Sequence, residues 1–417
     1  MSTQPPAPSG TDHAAPLDPQ SESFRTCPYA AYAEVRKTSP VVHQAALDEW
    51  IVVGRDEIES VQRDHAHFTS RYNLDGAYPF SPEARAVLED SLFFRVALYN
   101  VEPPAHTRFR TLISEYFSPR NLRALEPAVR RTADRLAQGI SGAGEADLLQ
   151  EFAYPLPMTV ICDLIGIPEQ DRAQVKEWNN QWLALQVVPL PGEQQVHCAR
   201  NVVEYERYVL RLLRERRDHP ADDLLTVLAN AAAEEDPVCA VEDAVVALRV
   251  MIAAGHETTT NLIGNTVWHL LEDRALWEAL VADSALIPAA VEEGLRFDSS
   301  VQGAPRVATE AVKVGGTEIP AGGQVRVMFA AAGRDPEWVQ DPASFRLDRQ
   351  GPPRHLGFGH GIHFCVGAGL ARLETRIALE TLTGRFPSLR LAEGFTPEHL
   401  PGGFVFRGLG ALPVAWS

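Results

Sequence analysis

The stretch HLGFGHGIHFCVG, His355 to Gly367, decides how the chain is read. Within it fall four glycines, three histidines and one of only five cysteines. Gly359, Gly361 and Gly367 permit backbone conformations closed to other residues, so the loop can turn several N–H groups toward one atom. Helical spacing resumes at Ala368. That puts Cys365 just before a helix N-terminus, where the dipole favours a thiolate. A thiolate wrapped in N–H donors suits a single-cysteine iron ligand, because those donors tune the metal. The competing reading of a lone cysteine is a structural one in a glycine-rich turn.

Composition narrows the classes around that loop. The chain has 417 residues, 45% of them hydrophobic, enough for a sizeable core. Its formal charge is 38 − 55 = −17, which disfavours nucleic acid as a partner. The cysteines are odd in number, scattered, and without a CxxC pair, so neither a disulfide framework nor a thiolate zinc site is expected and a cytoplasmic location fits. Residues 1–27 read as a disordered tail, rich at first in Pro, Ser and Ala and with no targeting pattern. The apolar run Val245 to Leu271 carries Arg249, His256, Glu257 and Asn261. A membrane span rarely holds such residues at its centre, so a buried helix is expected and no membrane association.

Periodicity makes the chain mainly α with a small β-rich lobe. Helical spacing covers 56–65, 104–117, 121–138, 169–185, 195–217, 240–271, 285–297 and 368–386. Strand patterns occupy 39–54 and 306–330, with short strands in 388–417. Residues 68–100 read as a long irregular segment, of the kind that often lines a binding site. Nothing marks an internal repeat or a linker, so 28–417 is expected to be one large domain.

Phe358, Gly359, Gly361, His363, Cys365 and Gly367 complete the pattern Phe-Gly-x-Gly-x-His-x-Cys-x-Gly. Here the sequence resembles the cytochrome P450 family, whose heme-thiolate loop has this pattern, and specifically its soluble bacterial branch. The resemblance implies a P450 fold over nearly the whole chain, with heme b held by Cys365. It further implies an acid–alcohol pair on the long helix, matched by Glu257 and Thr258 in AGHET. Both groups are costly mid-helix in apolar surroundings unless used, and Thr258 can bond back to the Ala254 carbonyl. Glu293 and Arg296 match a Glu-x-x-Arg pair on one helix face, with Arg349 implied as its third, structural member. The heme propionates need cations or donors. The resemblance assigns them His106 and Arg110, one helical turn apart, together with Arg306 and His355.

The implied activity is a monooxygenase reaction placing one oxygen atom from O2 into a mid-sized, largely apolar molecule, by hydroxylation or epoxidation, in bacterial secondary metabolism. Electrons would come from NAD(P)H through a ferredoxin reductase and a ferredoxin, since no flavin or iron–sulfur motif is fused here. The chain would act as a monomer. By position the substrate pocket draws on Phe94, Ala97 and Leu98, on Ala254, on Val301 and the polar Gln302, and on Phe404 and Val405. Alternatives stay open: a heme-thiolate enzyme using peroxide, another oxidation such as coupling or desaturation, or a non-enzymatic heme sensor or carrier. Family members that use peroxide typically lack the acid–alcohol pair, so Glu257 and Thr258 argue against the first.

Overall fold

The longest helix, Val241–Glu272, organises the core. Its side chains are apolar nearly all round, so it is buried on every side for most of its length. At its start the Asp243 carboxylate accepts the Ala240 N–H at 3.1 Å. Helices Pro155–Ile165, Gly192–Asp218, Ile287–Phe297 and Ala368–Arg385 pack directly against it. The structure, a computed structural model, describes residues 17–71, 79–95, 98–233, 239–400 and 402–417.

The β-rich lobe is a five-stranded sheet. Its order is Val41–Gln44, Glu49–Val52, Gln324–Val327, Ala304–Ala308, Phe68–Thr69. Neighbours run antiparallel except Glu49–Val52 and Gln324–Val327, which are parallel with Trp50 opposite Val325. The sheet therefore joins chain segments 324 − 49 = 275 residues apart, a pairing that sequence spacing cannot reveal. Two smaller sheets complete the β structure. One has the order Glu145–Asp147, Pro413–Ala415, Arg390–Leu391, and the other pairs Val312–Val314 with Thr317–Ile319.

Several elements depart from the expectations. Helix Pro82–Leu88 lies inside the segment read as irregular, with the Ser81 hydroxyl capping Ala84 N–H. Helix Pro155–Ile165 has no helical period to read, because almost every side chain in it is buried. Pro155 opens it and Gly166, at φ 100°, closes it. The tail expected through residue 27 is also corrected. Leu17 and Phe24 are buried, and helix Glu22–Thr26 precedes helix Pro28–Arg36. Arg407 fastens this segment by donating to the Arg25 and Thr26 carbonyls at 2.8 and 3.0 Å. Among the described residues no helix is long and apolar enough to cross a membrane.

Candidate active site

The cysteine loop is shaped by its glycines. Gly359 and Gly361 have φ of 71° and 72°, a region favouring glycine, and a Cβ on Gly361 would sit 2.3 Å from the Gln62 carbonyl oxygen. The loop closes through Cys365 N–H donating to the Phe358 carbonyl at 2.9 Å. The Phe358 ring is covered by the Arg372 guanidinium, 4.6 Å from its centre. Helix Ala368–Arg385 begins three residues after Cys365. Cys365 has exposed surface although the loop lies against the core. Around its sulfur, burial pushes the thiol up, and the N–H groups of Gly367 and Ala368 and the charges of Arg110 and Arg372 pull it down.

A cationic cluster sits beside the loop. His106 is buried on helix Ala105–Tyr116, with Arg110 one turn on. Their neighbours are Arg306, buried on the sheet, and His363. The His106 and His363 rings are 4.6 Å apart. Burial and the charges of Arg306, His106 and Arg110 push His363 down to about 3. Ser70 Oγ lies 2.9 Å from its Nε2. His106 Nε2 is buried without a hydrogen-bond partner. Such a gathering of mutually repelling donors is a site for an anion. The loop motif makes His363, with Phe358, Gly359 and Gly367, an expected cofactor-binding residue; its membership of this cluster depends on contacts across the fold. Arg108 is exposed.

His355 is elsewhere. Its Nε2 is 2.9 Å from Glu292 Oε2, which also takes Arg372, and its Nδ1 receives the Gly357 N–H at 3.2 Å. Both ring nitrogens are thus engaged by the protein, and the propionate assignment for His355 is withdrawn.

On the long helix Thr258 Oγ1 donates to the Ala254 carbonyl at 2.8 Å. The helix stays continuous there. Gly255 permits close packing, since a Cβ would sit 2.7 Å from Ile161 Cγ1. Ala254 is exposed although Met251, Ile252 and Ala253 before it are buried, so the core opens beside it. Burial raises the Glu257 carboxyl above its usual range, with a hydrogen bond from Asn261 opposing. In sequence Asn261 counts only against a membrane span, although a spacing of four residues puts it on the same face as Glu257. His256, beside them, is fully buried and within 3.2 Å of Tyr154 Oη.

Glu293, Arg296 and Arg349 form one network. Arg296 makes a two-pronged bond to Glu293, with both contacts at 2.7 Å, and Arg349 Nε lies 2.9 Å from each Glu293 oxygen. The same carboxylate accepts the Arg346 N–H at 2.8 Å. The guanidinium groups then bind carbonyls at Gly333, Gln340, Asp341, Pro342 and Ser344. This pins the irregular stretch that leads into the cysteine loop.

The pocket expectations divide. Phe94 packs at the edge of an aromatic cluster with Phe80 and Phe93, and Val301 and Val405 are partly exposed. Ala97 and the side chain of Leu98 lie outside the described residues. Gln302 is corrected: it is 1% exposed, and its amide is spent on Tyr32, Tyr29 and the Ser299 carbonyl. Phe404 is corrected as well, being buried edge-on against Phe24 at 5.2 Å in the N-terminal core.

Known proteins place this geometry. The family description "Cytochrome P450" matches residues 279–405. The chain is 37% identical to cytochrome P450 monooxygenase PikC of Streptomyces venezuelae over 411 residues, 95% of this chain and 92% of that protein. This chain belongs to the cytochrome P450 family. It is also 34% identical to 6-deoxyerythronolide B hydroxylase of Saccharopolyspora erythraea, covering 95% and 98% of the two chains. The structure of CYP109E1 from Bacillus megaterium with testosterone superposes with a TM-score of 0.80 at 32% identity, covering 94% and 99%. The fold is therefore the P450 fold, and the protein is an oxygen-incorporating P450 monooxygenase. Its cofactor is heme with a cysteine thiolate ligand, using O2 and NAD(P)H-derived electrons. The residues present fit that group: a sulfur with exposed surface among N–H donors, beside a cationic cluster holding a buried, unpartnered imidazole nitrogen.

Proposed function

We propose that Cys365 would ligate the heme iron and that His106, Arg110, Arg306 and His363 would hold the propionates, with Glu257 and Thr258 managing protons from the long helix. Bound heme supplies the dioxygen activation, and the thiolate favours O–O cleavage. The observation carrying the reading is the Thr258 hydrogen bond. Its proton is committed to the Ala254 carbonyl, so Oγ1 faces the opening as an acceptor. Thr258 therefore orients a proton donor rather than being one. Glu257, raised by burial, is the group placed to supply the proton.

The substrate we propose is a mid-sized, largely apolar bacterial secondary metabolite, because Ala254, Val301, Val405 and Phe94 offer apolar surface. The names of the similar proteins support that size, one being a 6-deoxyerythronolide B hydroxylase and another a complex with testosterone. A ferredoxin and its reductase in the cytoplasm would deliver the electrons.

The test begins with a panel headed by 6-deoxyerythronolide B and testosterone, scored by the heme spin shift. Product, peroxide and NADH are then measured together for the compound that turns over. Thr258→Ala should lower product per NADH by about a hundredfold or more, the usual contribution of a positioned proton donor, while NADH consumption falls much less and peroxide rises. Unchanged coupling would reduce the hydroxyl to helix packing.

A further inference from the structure

His256 is neither iron ligand nor propionate contact, yet it is a completely buried imidazole beside the proposed proton donor. Its Nδ1 lies 2.7 Å from the Ile252 carbonyl oxygen. A carbonyl only accepts, so Nδ1 carries the hydrogen. Burial, helped by the Lys176 charge and opposed by the Ile252 hydrogen bond, pushes the ring down to about 4. The ring is therefore neutral at pH 7, and Nε2 has one lone pair and no hydrogen. Two groups lie near that lone pair. Tyr154 Oη is 3.2 Å away and Glu257 Oε2 is 3.8 Å away.

We propose that Glu257 and Tyr154 compete for the lone pair on His256 Nε2, so that His256 is a positioning residue that favours the acid form of Glu257. This rests on the reading of Glu257 as proton supplier. An ionised carboxylate has nothing to donate to Nε2, whereas a carboxylic acid does. When Glu257 is protonated, a small side-chain movement closes it onto Nε2, and the Tyr154 hydroxyl turns to Asn180 Oδ1, 3.5 Å away. When Glu257 has given its proton to the cavity side, its carboxylate keeps the Asn261 bond and Tyr154 returns to Nε2. Solvent restores the proton, and no electrons move. Tyr154 is not a relay, because burial and the nearby Glu257 charge hold its phenol well above the usual range while the imidazole sits far below it. The other groups facing the pair are Lys176, 3.9 Å from the Tyr154 ring centre, and Glu177 and Cys162, which act on Tyr154 from the flanking helices.

The experiment follows the Glu257 carboxyl stretch by infrared spectroscopy across pH in the reduced, carbon-monoxide-bound holoenzyme. The band is assigned by its loss in Glu257→Gln. Tyr154→Phe removes the competitor and should raise the Glu257 midpoint by about one pH unit, the size of one net hydrogen bond. In a His256→Leu background the same Tyr154→Phe change should leave the midpoint where it was. An equal shift with and without His256, or none in either, overturns the proposal. A second measurement needs no variant: nitrogen NMR of wild-type His256 should report hydrogen on Nδ1 and not on Nε2, and hydrogen on Nε2 also overturns it. The proton-supply reading fails separately, if Glu257→Gln turns over as fast as wild type, since the band shift does not depend on turnover.

Discussion

Glu293→Ala should destabilise the protein and loosen the heme by stranding two arginines. In the native state Arg296 is 2% exposed, and its charge is met by Glu293 at 2.7 Å through two bonds. Removing one member of a buried pair costs about 3–5 kcal/mol, because the other charge stays in the interior. Arg296 keeps its carbonyl acceptors at Gly333, Pro342 and Ser344, and Arg349 is partly exposed, so a value of about 4 kcal/mol is reasonable. At about 2.1 cal/mol/K per residue, 417 residues give an unfolding entropy of about 0.9 kcal/mol/K. The expected fall in melting temperature is then about 4–5 °C. Losing the Arg346 N–H acceptor also frees the stretch entering the cysteine loop, so heme per protein should fall as well. Calorimetry and pyridine-hemochrome quantification read the two effects. Glu293→Gln, which keeps the shape without the charge, should lie between. Full heme content with a melting temperature within 1 °C of wild type would refute the network as a support of the loop.

Two further outcomes follow from the buried polar groups. Gln302→Leu should destabilise by about 1–3 kcal/mol, the cost of leaving the Tyr32 hydroxyl and the Ser299 carbonyl without their partner. It should leave the product profile intact, and a changed regiochemistry at unchanged stability would return Gln302 to the pocket. Stability should also depend on pH through Asp298 and His269, whose Oδ2 and Nε2 are 3.2 Å apart. Burial pushes Asp298 up, but the Arg407 charge and the His269 hydrogen bond more than reverse this and hold it well below the carboxylate range. Its contribution is present above the unfolded value near 3.8 and lost as pH falls below it. Burial lowers His269, but hydrogen bonds with Asp298 and Glu272 outweigh that and raise it above 6.5. Its contribution is full below 6.5 and lost as pH rises through the raised value. Thermal melts from pH 3 to 9 should therefore show the gap between Asp298→Asn and wild type beginning to narrow below pH 3.8 and His269→Gln converging on wild type at the alkaline end. Parallel curves would refute the linkage.

The chemistry of this protein is legible in sequence wherever it is local. Phe358 through Gly367 carries its own loop geometry, because the glycines that permit the turn and the cysteine it presents lie within a few bonds of one another. Glu293 with Arg296 is read equally well, since a spacing of three puts both on one helix face, and Glu257 with Thr258 stands out as adjacent polar groups within an apolar helix. Periodicity likewise marks the long helix and the strand segments of the lobe. Tertiary structure decided what each side chain meets across the chain. His355 and His363 lie in one loop, yet one turns to Glu292 and the other joins His106 and Arg306. Gln302 is spent on Tyr29 and Tyr32, some 270 residues away. Tyr154 meets His256 across 102 residues. Such pairings are fixed by how helices and sheet dock, through burial summed over the whole core, and a window of neighbouring residues holds no record of that sum.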